Sequence, residues 1–169
     1  MDAIKALADR QAITDQLYRY CRAVDRLDVA LGYSIWHEDG VADYGDIYRG
    51  SGRGVIDFIC ESHRQLLHHS HQISNILIAL DGDVAGSESY ATVNLRLQGQ
   101  GKIQQITVWV RYIDAWSRRD GDWRLDRRQT IIDFDEIREV LPMGQYAVGR
   151  RDNADPSYKV LVGFTDRTG

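Results

Sequence analysis

Two residues of this 169-residue chain stand where packing alone does not account for them, and both carry acid–base chemistry. Residues 3–27 repeat apolar side chains at helical spacing, with Ile13, Leu17, Tyr20, Cys21 and Val24 on one face and Arg19, Arg22 and Arg26 on the other. Asp25 falls about 80° from Leu17 on the helical wheel, at the edge of the apolar stripe rather than among the arginines. His71 opens the alternating stretch HQISNILIAL, which places His71, Ile73, Asn75 and Leu77 on one strand face and Ser74, Ile76, Ile78 and Leu80 on the other. Both faces are largely apolar, so both are expected to be covered. A histidine on the pocket side of such a strand can serve as a general base near neutral pH, although from the residues alone a structural histidine with its bonds satisfied, or an exposed one, is the more ordinary reading.

Other chemistries fit less well. The histidines at 63, 68, 69 and 71 invite a metal reading, yet no acidic residue stands at a zinc-motif spacing and His68 and His69 fall at a helix-to-strand junction, so no metal is expected. Gly50-Ser51-Gly52-Arg53-Gly54 lacks both the Lys-Ser/Thr ending of a phosphate loop and the dinucleotide spacing, and no Gly-x-Ser-x-Gly nucleophile elbow occurs. Arg127 and Arg128 alternate on a strand, so one must face the covered side, where it needs an anion or an acidic partner such as Asp114 or Asp126.

The elements that must position these residues read as helices first and strands after. Asp28 precedes VALGYSIW and suits the N-cap of a short second helix running through Trp36. GVADYGDIYRG carries the Gly-Asp signature of a tight hairpin, and Val55, Phe58, Ile59, Ser62 and Leu66 mark a third helix. Strands are expected at about 71–80, 84–98, 103–117 and 122–133, joined by Asp81-Gly82-Asp83, Gly99-Gln100-Gly101 and Asp120-Gly121-Asp122. Connections so short make successive strands antiparallel neighbours. The fold class is α+β, a curved antiparallel meander capped by three N-terminal helices and enclosing a pocket.

Composition sets the outer limits. The length suits one domain, and 43% apolar with 27% charged residues is globular. Twenty-one basic against 25 acidic side chains leave a net charge of −4, which disfavours nucleic acid and anionic membranes as partners. Cys21 and Cys60 lie in helical patterns and read as reduced, buried thiols. The N-terminus lacks a signal-peptide pattern and apolar runs are short, so a soluble cytoplasmic protein is expected. The prolines, Pro142 and Pro156, both lie near the end and divide a cone-forming body, residues 1–140, from a tail, 141–169. That tail, with Gln145 and Tyr146, is expected to form a flap over the pocket or an arm onto a neighbouring subunit.

Taken together, Tyr20 and Asp25 in YRYCRAVDRLD, Trp36 before the hairpin, His71 in HQISN, the RRDGDWRL turn and Arg128 resemble the SnoaL-like branch of the nuclear transport factor 2-like superfamily. The layout over about residues 5–135 is most similar to its dehydratase and dehydrochlorinase group, which includes bile-acid dehydratase, scytalone dehydratase and hexachlorocyclohexane dehydrochlorinase. Ala23-Val24-Asp25 and His71-x-x-Ser74-Asn75 are the specific part.

The resemblance implies that Asp25 and His71 form a catalytic dyad at the mouth of an apolar cone, with Tyr20 and Arg128 assisting electrostatically and Trp36, Tyr44, Asn75 and Asn94 lining the substrate site. Asn94 stands where some relatives carry an acid, and no second histidine occurs on the third strand, a departure from the scytalone pattern. The implied activity is a cofactor-independent lyase removing water, halide or formaldehyde from a small apolar ring-containing substrate, in a homotrimer. Two other readings share the cone: a ketosteroid-type isomerase, with Asp133 as its sheet acid, and a non-catalytic binding module or small subunit of a ring-hydroxylating dioxygenase. Trimer contacts are expected on the convex face, with Trp109, Trp116, Ile113 and Val93 as candidates.

Overall fold

A computed structural model describes residues 2–99, 101–144 and 149–163. Helix α1 (Ala3–Arg26) begins at Asp2, whose carboxylate accepts from the Ile4 amide, and ends where Leu27 turns left-handed at φ 56°. Asp28 then caps α2 (Val29–Ser34) by accepting from the Leu31 amide at 3.0 Å. This second helix stops before Trp36, short of the sequence expectation. Trp36 instead opens strand β1 (Trp36–Asp43), which turns at Gly45, φ 63°, into β2 (Arg49–Ser51). Ser51 caps α3 (Gly52–Arg64) through the Gly54 amide.

Four long strands follow: β3 (His68–Asp81), β4 (Val84–Gly99), β5 (Lys102–Arg119) and β6 (Asp122–Glu139). They form the expected antiparallel meander, and β6 runs six residues beyond the expected end at Asp133. The hairpin is not a separate piece. Strand β1 joins the free edge of β6 in parallel, with Val41 opposite Arg127, giving one six-stranded sheet of order β2-β1-β6-β5-β4-β3. A parallel neighbour so far away in sequence leaves no short-turn signal.

Three bulges bend the meander into a cone, and a further register shift lies between Trp36 and Val41 on β1. On β3 the register slips between Ser74 and Leu77, and Asn75 there adopts φ 49°. On β6 it slips at Asp126 and at Asp133. Each extra residue moves the following side chains to the other face. His71 and Ile73 thus point inward before the β3 bulge, and Ile76, Ile78 and Leu80 pack on the core after it. Leu77 is left exposed, as are Gln72, Ser74 and Ala79, so this edge strand is covered on one face, against the expectation of two.

Helices α1 and α3 close the concave side over Leu17, Val24, Val55, Ile56, Val110 and Trp116. Gly52 lies flat on the Trp36 ring, where an added Cβ would approach Cε3 to 2.0 Å. Cys21 and Cys60 are buried free thiols, and burial pushes them up to about 12 and about 11. Among the described residues no helix is long and apolar enough to cross a membrane.

Residues 149–163 lie against the helices. Arg151 donates to the His63 carbonyl at 2.8 Å, Arg22 to Ser157 at 3.1 Å, and Tyr158 to Asp28 at 3.4 Å. Gln145 and Tyr146 fall outside the described residues.

Candidate active site

Asp25 sits in the last turn of α1, and the neighbouring strand β3 brings His71 to it. One carboxylate oxygen of Asp25 meets His71 Nδ1 at 2.7 Å, and the other accepts from the His71 backbone amide at 3.0 Å. Ring and main chain of the same residue therefore grip both oxygens and fix the carboxylate plane. With Nδ1 donating to Asp25, the second nitrogen, Nε2, carries the lone pair. The imidazole is nearly sealed, its side chain 5% exposed, and it forms part of the wall of a cavity of about 320 Å³.

That cavity is apolar. Phe58, Ile59 and Leu66 come from α3 and its C-terminus, Val93 and Leu95 from β4, Val108 and Val110 from β5, Ile132 from β6 and Ile47 from the hairpin. The polar groups in its wall are His71, His63, Ser62, Thr130 and the tyrosines Tyr20, Tyr44 and Tyr112. Among the described residues no Lys, Arg, Asp or Glu contributes to it.

Tyr20 and Tyr44 share a hydrogen bond of 2.9 Å between hydroxyls, so one of them donates inward to the other. Burial, together with the nearby Tyr44 and Tyr112, holds the Tyr20 hydroxyl well above its ordinary value, and Tyr112 is raised chiefly by burial as well. Both stay protonated. A protonated phenol in an apolar wall offers a hydrogen bond to negative charge developing on a substrate.

The remaining sequence candidates are placed elsewhere. Arg128 is fully buried and does not reach the cavity. Its Nε and Nη2 donate to the two oxygens of Asp114 at 2.8 Å each, and the guanidinium lies 4.3 Å from the Tyr20 ring centroid and 4.1 Å from that of Tyr112. Burial opposes its charge, but the Asp114 carboxylate prevails and keeps it protonated. Arg128 therefore supports the tyrosine wall from behind. Trp36 is core, covered by Gly52. Asn75 is exposed because it is the bulge residue. Asn94 alternates with the wall residues Val93 and Leu95 and so faces outward, accepting from Gln105 at 3.1 Å and Thr107 at 3.0 Å. Asp133 is held by Arg111 Nε at 3.0 Å on the outer face, away from the cavity.

His63 is a wall residue that the sequence reading placed only in a metal cluster. Its position three and four residues after Cys60 and Ile59 continues the buried stripe of α3, and that spacing was the available signal. Its ring centroid lies 5.6 Å from His71 and 4.6 Å from His69. Burial first, then the neighbouring His71, His69 and Arg151, pushes it down to about 3, so it is neutral. His69 is likewise lowered by burial, and its Nε2 donates to the Val24 carbonyl at 3.0 Å. Among the described residues no group of three or more histidines, cysteines or acids is arranged to hold a metal ion.

The profile of the SnoaL-like domain family matches residues 5–129, a span holding both Asp25 and His71. The chain belongs to the SnoaL-like domain family. Structures of this family's wider fold superpose closely. The hexachlorocyclohexane dehydrochlorinase LinA-type3 from Novosphingobium barchaimii LL02 gives a TM-score of 0.71 at 19% identity, over 86% of this chain and 97% of that one. A scytalone dehydratase-like protein from Novosphingobium aromaticivorans gives 0.69 at 20%, over 83% and 97%. Rv3472 from Mycobacterium tuberculosis, of unknown function, gives 0.65 at 21%, over 98% and 90%. At these identities the likeness is one of fold, the nuclear transport factor 2-like cone, and function has to be argued from the site. No curated protein shows significant sequence similarity to the chain.

Proposed function

We propose that this SnoaL-like protein is a cofactor-independent lyase that eliminates water, halide or formaldehyde from a small, neutral, ring-containing substrate. The observation that carries the reading is the Asp25–His71 pair, with its 2.7 Å bond at Nδ1, set in the wall of an apolar cavity. Asp25 orients the imidazole and stabilises the imidazolium that forms. His71 Nε2 takes a proton from a substrate carbon, the C–H electrons become the new double bond, and the leaving group departs with its own pair. When that group is hydroxide, the imidazolium returns the proton and water leaves. When it is halide, the proton passes to solvent. For a hydroxymethyl substrate the base takes the O–H proton, the carbon–carbon bond breaks, and formaldehyde leaves an enolate behind.

Tyr20 and Tyr44 supply the hydrogen bond that the departing or enolising oxygen needs. The absence of charged side chains among the described residues of the wall supports a neutral substrate, since a carboxylate or ammonium would be desolvated without a partner. A cytoplasmic setting and a homotrimeric assembly belong to the same reading.

The test is to incubate the purified chain, without added cofactor or partner, with neutral ring compounds bearing each leaving group and to weigh the products by mass spectrometry. A product lighter by water, hydrogen halide or formaldehyde supports the lyase. Double-bond migration at constant mass would place the protein with the isomerases, and binding without turnover would make it a binding module.

A further inference from the structure

Several polar groups in the cavity wall already have a partner or a role in the proposed reaction. Ser62 Oγ donates to the Ile59 carbonyl at 2.9 Å, Tyr20 and Tyr44 share one bond that leaves one O–H for the departing oxygen, and His71 Nδ1 is committed to Asp25. His63 is different. It is 9% exposed, it lines the cavity, and its Nδ1 is buried with no hydrogen-bond partner in the protein. A buried polar group without a partner is destabilising, and a phenylalanine would fill the same helix face without that cost. The Tyr112 and Thr130 hydroxyls belong to the sheet wall, whereas His63 stands on the helix wall with its ring 5.6 Å from the ring of the base.

We propose that His63 is the specificity residue of the cavity, hydrogen-bonding a ring hydroxyl of the substrate beside the carbon that faces His71. A hydroxyl can donate or accept, so it suits either tautomer of a neutral imidazole. The burial of His63, and after it the neighbouring His71, His69 and Arg151, which keep it uncharged, also keep it from competing with His71 for the substrate proton. Arg151 holds the His63 carbonyl at 2.8 Å and so fixes the last turn of α3 from which the ring projects. The substrate class narrows accordingly, from any apolar ring compound to a neutral hydroxylated one. Only the word substrate rests on the lyase reading, because the hydroxyl preference is a property of binding.

The experiment compares affinities for 2-naphthol and naphthalene, followed by tyrosine and tryptophan fluorescence, in the wild type, His63→Phe and His63→Gln. The expected result is a preference for the naphthol of about tenfold in the wild type, lost in His63→Phe and largely kept in His63→Gln, which retains a polar hydrogen-bonding group. An unchanged preference in His63→Phe would overturn the proposal, as would a wild type that does not discriminate. If His63→Phe fails to fold, loss of the preference in His63→Leu, with its retention in His63→Gln, carries the same decision. The same ratio measured in His71→Ala separates this claim from the lyase reading, since a preference that survives there stands whether or not elimination is the reaction.

Discussion

At the scale of single residues, the site divides into groups that touch the cavity and groups that hold those in place. Arg128 is the clearest case of the second kind. Its pairing with Asp114 and its position behind Tyr20 and Tyr112 make it a structural cation, although sequence resemblance placed it in the catalytic set. Arg128→Met should destabilise the fold by about 3–5 kcal/mol, because it leaves the Asp114 carboxylate buried and unpaired. Arg128→Met with Asp114→Leu should recover most of that loss in chemical denaturation. A single variant as stable as the wild type would mean that the pair is not structural. Asp25 was legible in the sequence because a carboxylate at an apolar edge lacks a packing reason. His63 is not legible as a pocket residue, because the apolar stripe of its helix runs through Val55, Phe58, Ile59, Ser62 and Leu66, and the histidine four residues after Ile59 also turns inward.

At the scale of elements, the bulges decide which side chains form the site. Helices, turns and the order of the meander follow from periodicity and from Gly-Asp connections, so those were readable. The face that each strand shows the cavity was not, because a strict alternation carried through Ser74-Asn75 puts Asn75 and Leu77 inside, whereas the extra residue puts Ile76 and Ile78 there. The parallel pairing of β1 with β6 was equally silent, which is why Trp36 reads as the end of a helix and proves to be the first residue of a strand. Asn75 at φ 49° is the pivot of the β3 bulge. Asn75→Val should cost about 1–2 kcal/mol, the left-handed penalty for a side chain that cannot bond locally, and Asn75→Gly should cost little. Equal stability of the two variants in urea would show that the bulge does not need this conformation.

At the scale of the whole molecule, buried acids tie the two ends of the fold together. Asp9 on α1 accepts from Trp123 Nε1 at 3.0 Å and Lys5 at 2.9 Å, and pairs with Arg118 at 2.6 Å, bonds that hold its carboxyl below the ordinary 3.8. Asp155 is lowered too, by Ser157 and the backbone amides of Arg150 and Ser157. A carboxyl depressed in the folded state stabilises above its unfolded value and loses that contribution as pH falls through the folded one. Thermal melting should therefore decline as pH drops below the normal carboxylate range, and Asp9→Asn should flatten the decline while lowering stability at neutral pH. A wild type whose melting temperature ignores pH there would remove this account.

The convex face offers a smaller apolar surface than the sequence suggests. Trp116 and Val93 point inward, while Trp109 stacks on the exposed Phe134 at 4.6 Å between centroids and Ile113 lies on the same face. For the proposed homotrimer, light scattering should give three times the 19.3 kDa chain mass, and Trp109→Glu with Phe134→Glu should yield monomers. A wild type already monomeric would contradict it.

The central claim is that Asp25 and His71 act as one base. Its most direct test is the turnover of an accepted substrate by Asp25→Asn and by His71→Ala, measured beside their melting temperatures. Each variant should lose about 10²–10⁴-fold in kcat while melting close to the wild type, and combining the two substitutions should lose little more than either alone. A folded His71→Ala or Asp25→Asn protein that turns over at near wild-type rate would contradict the account.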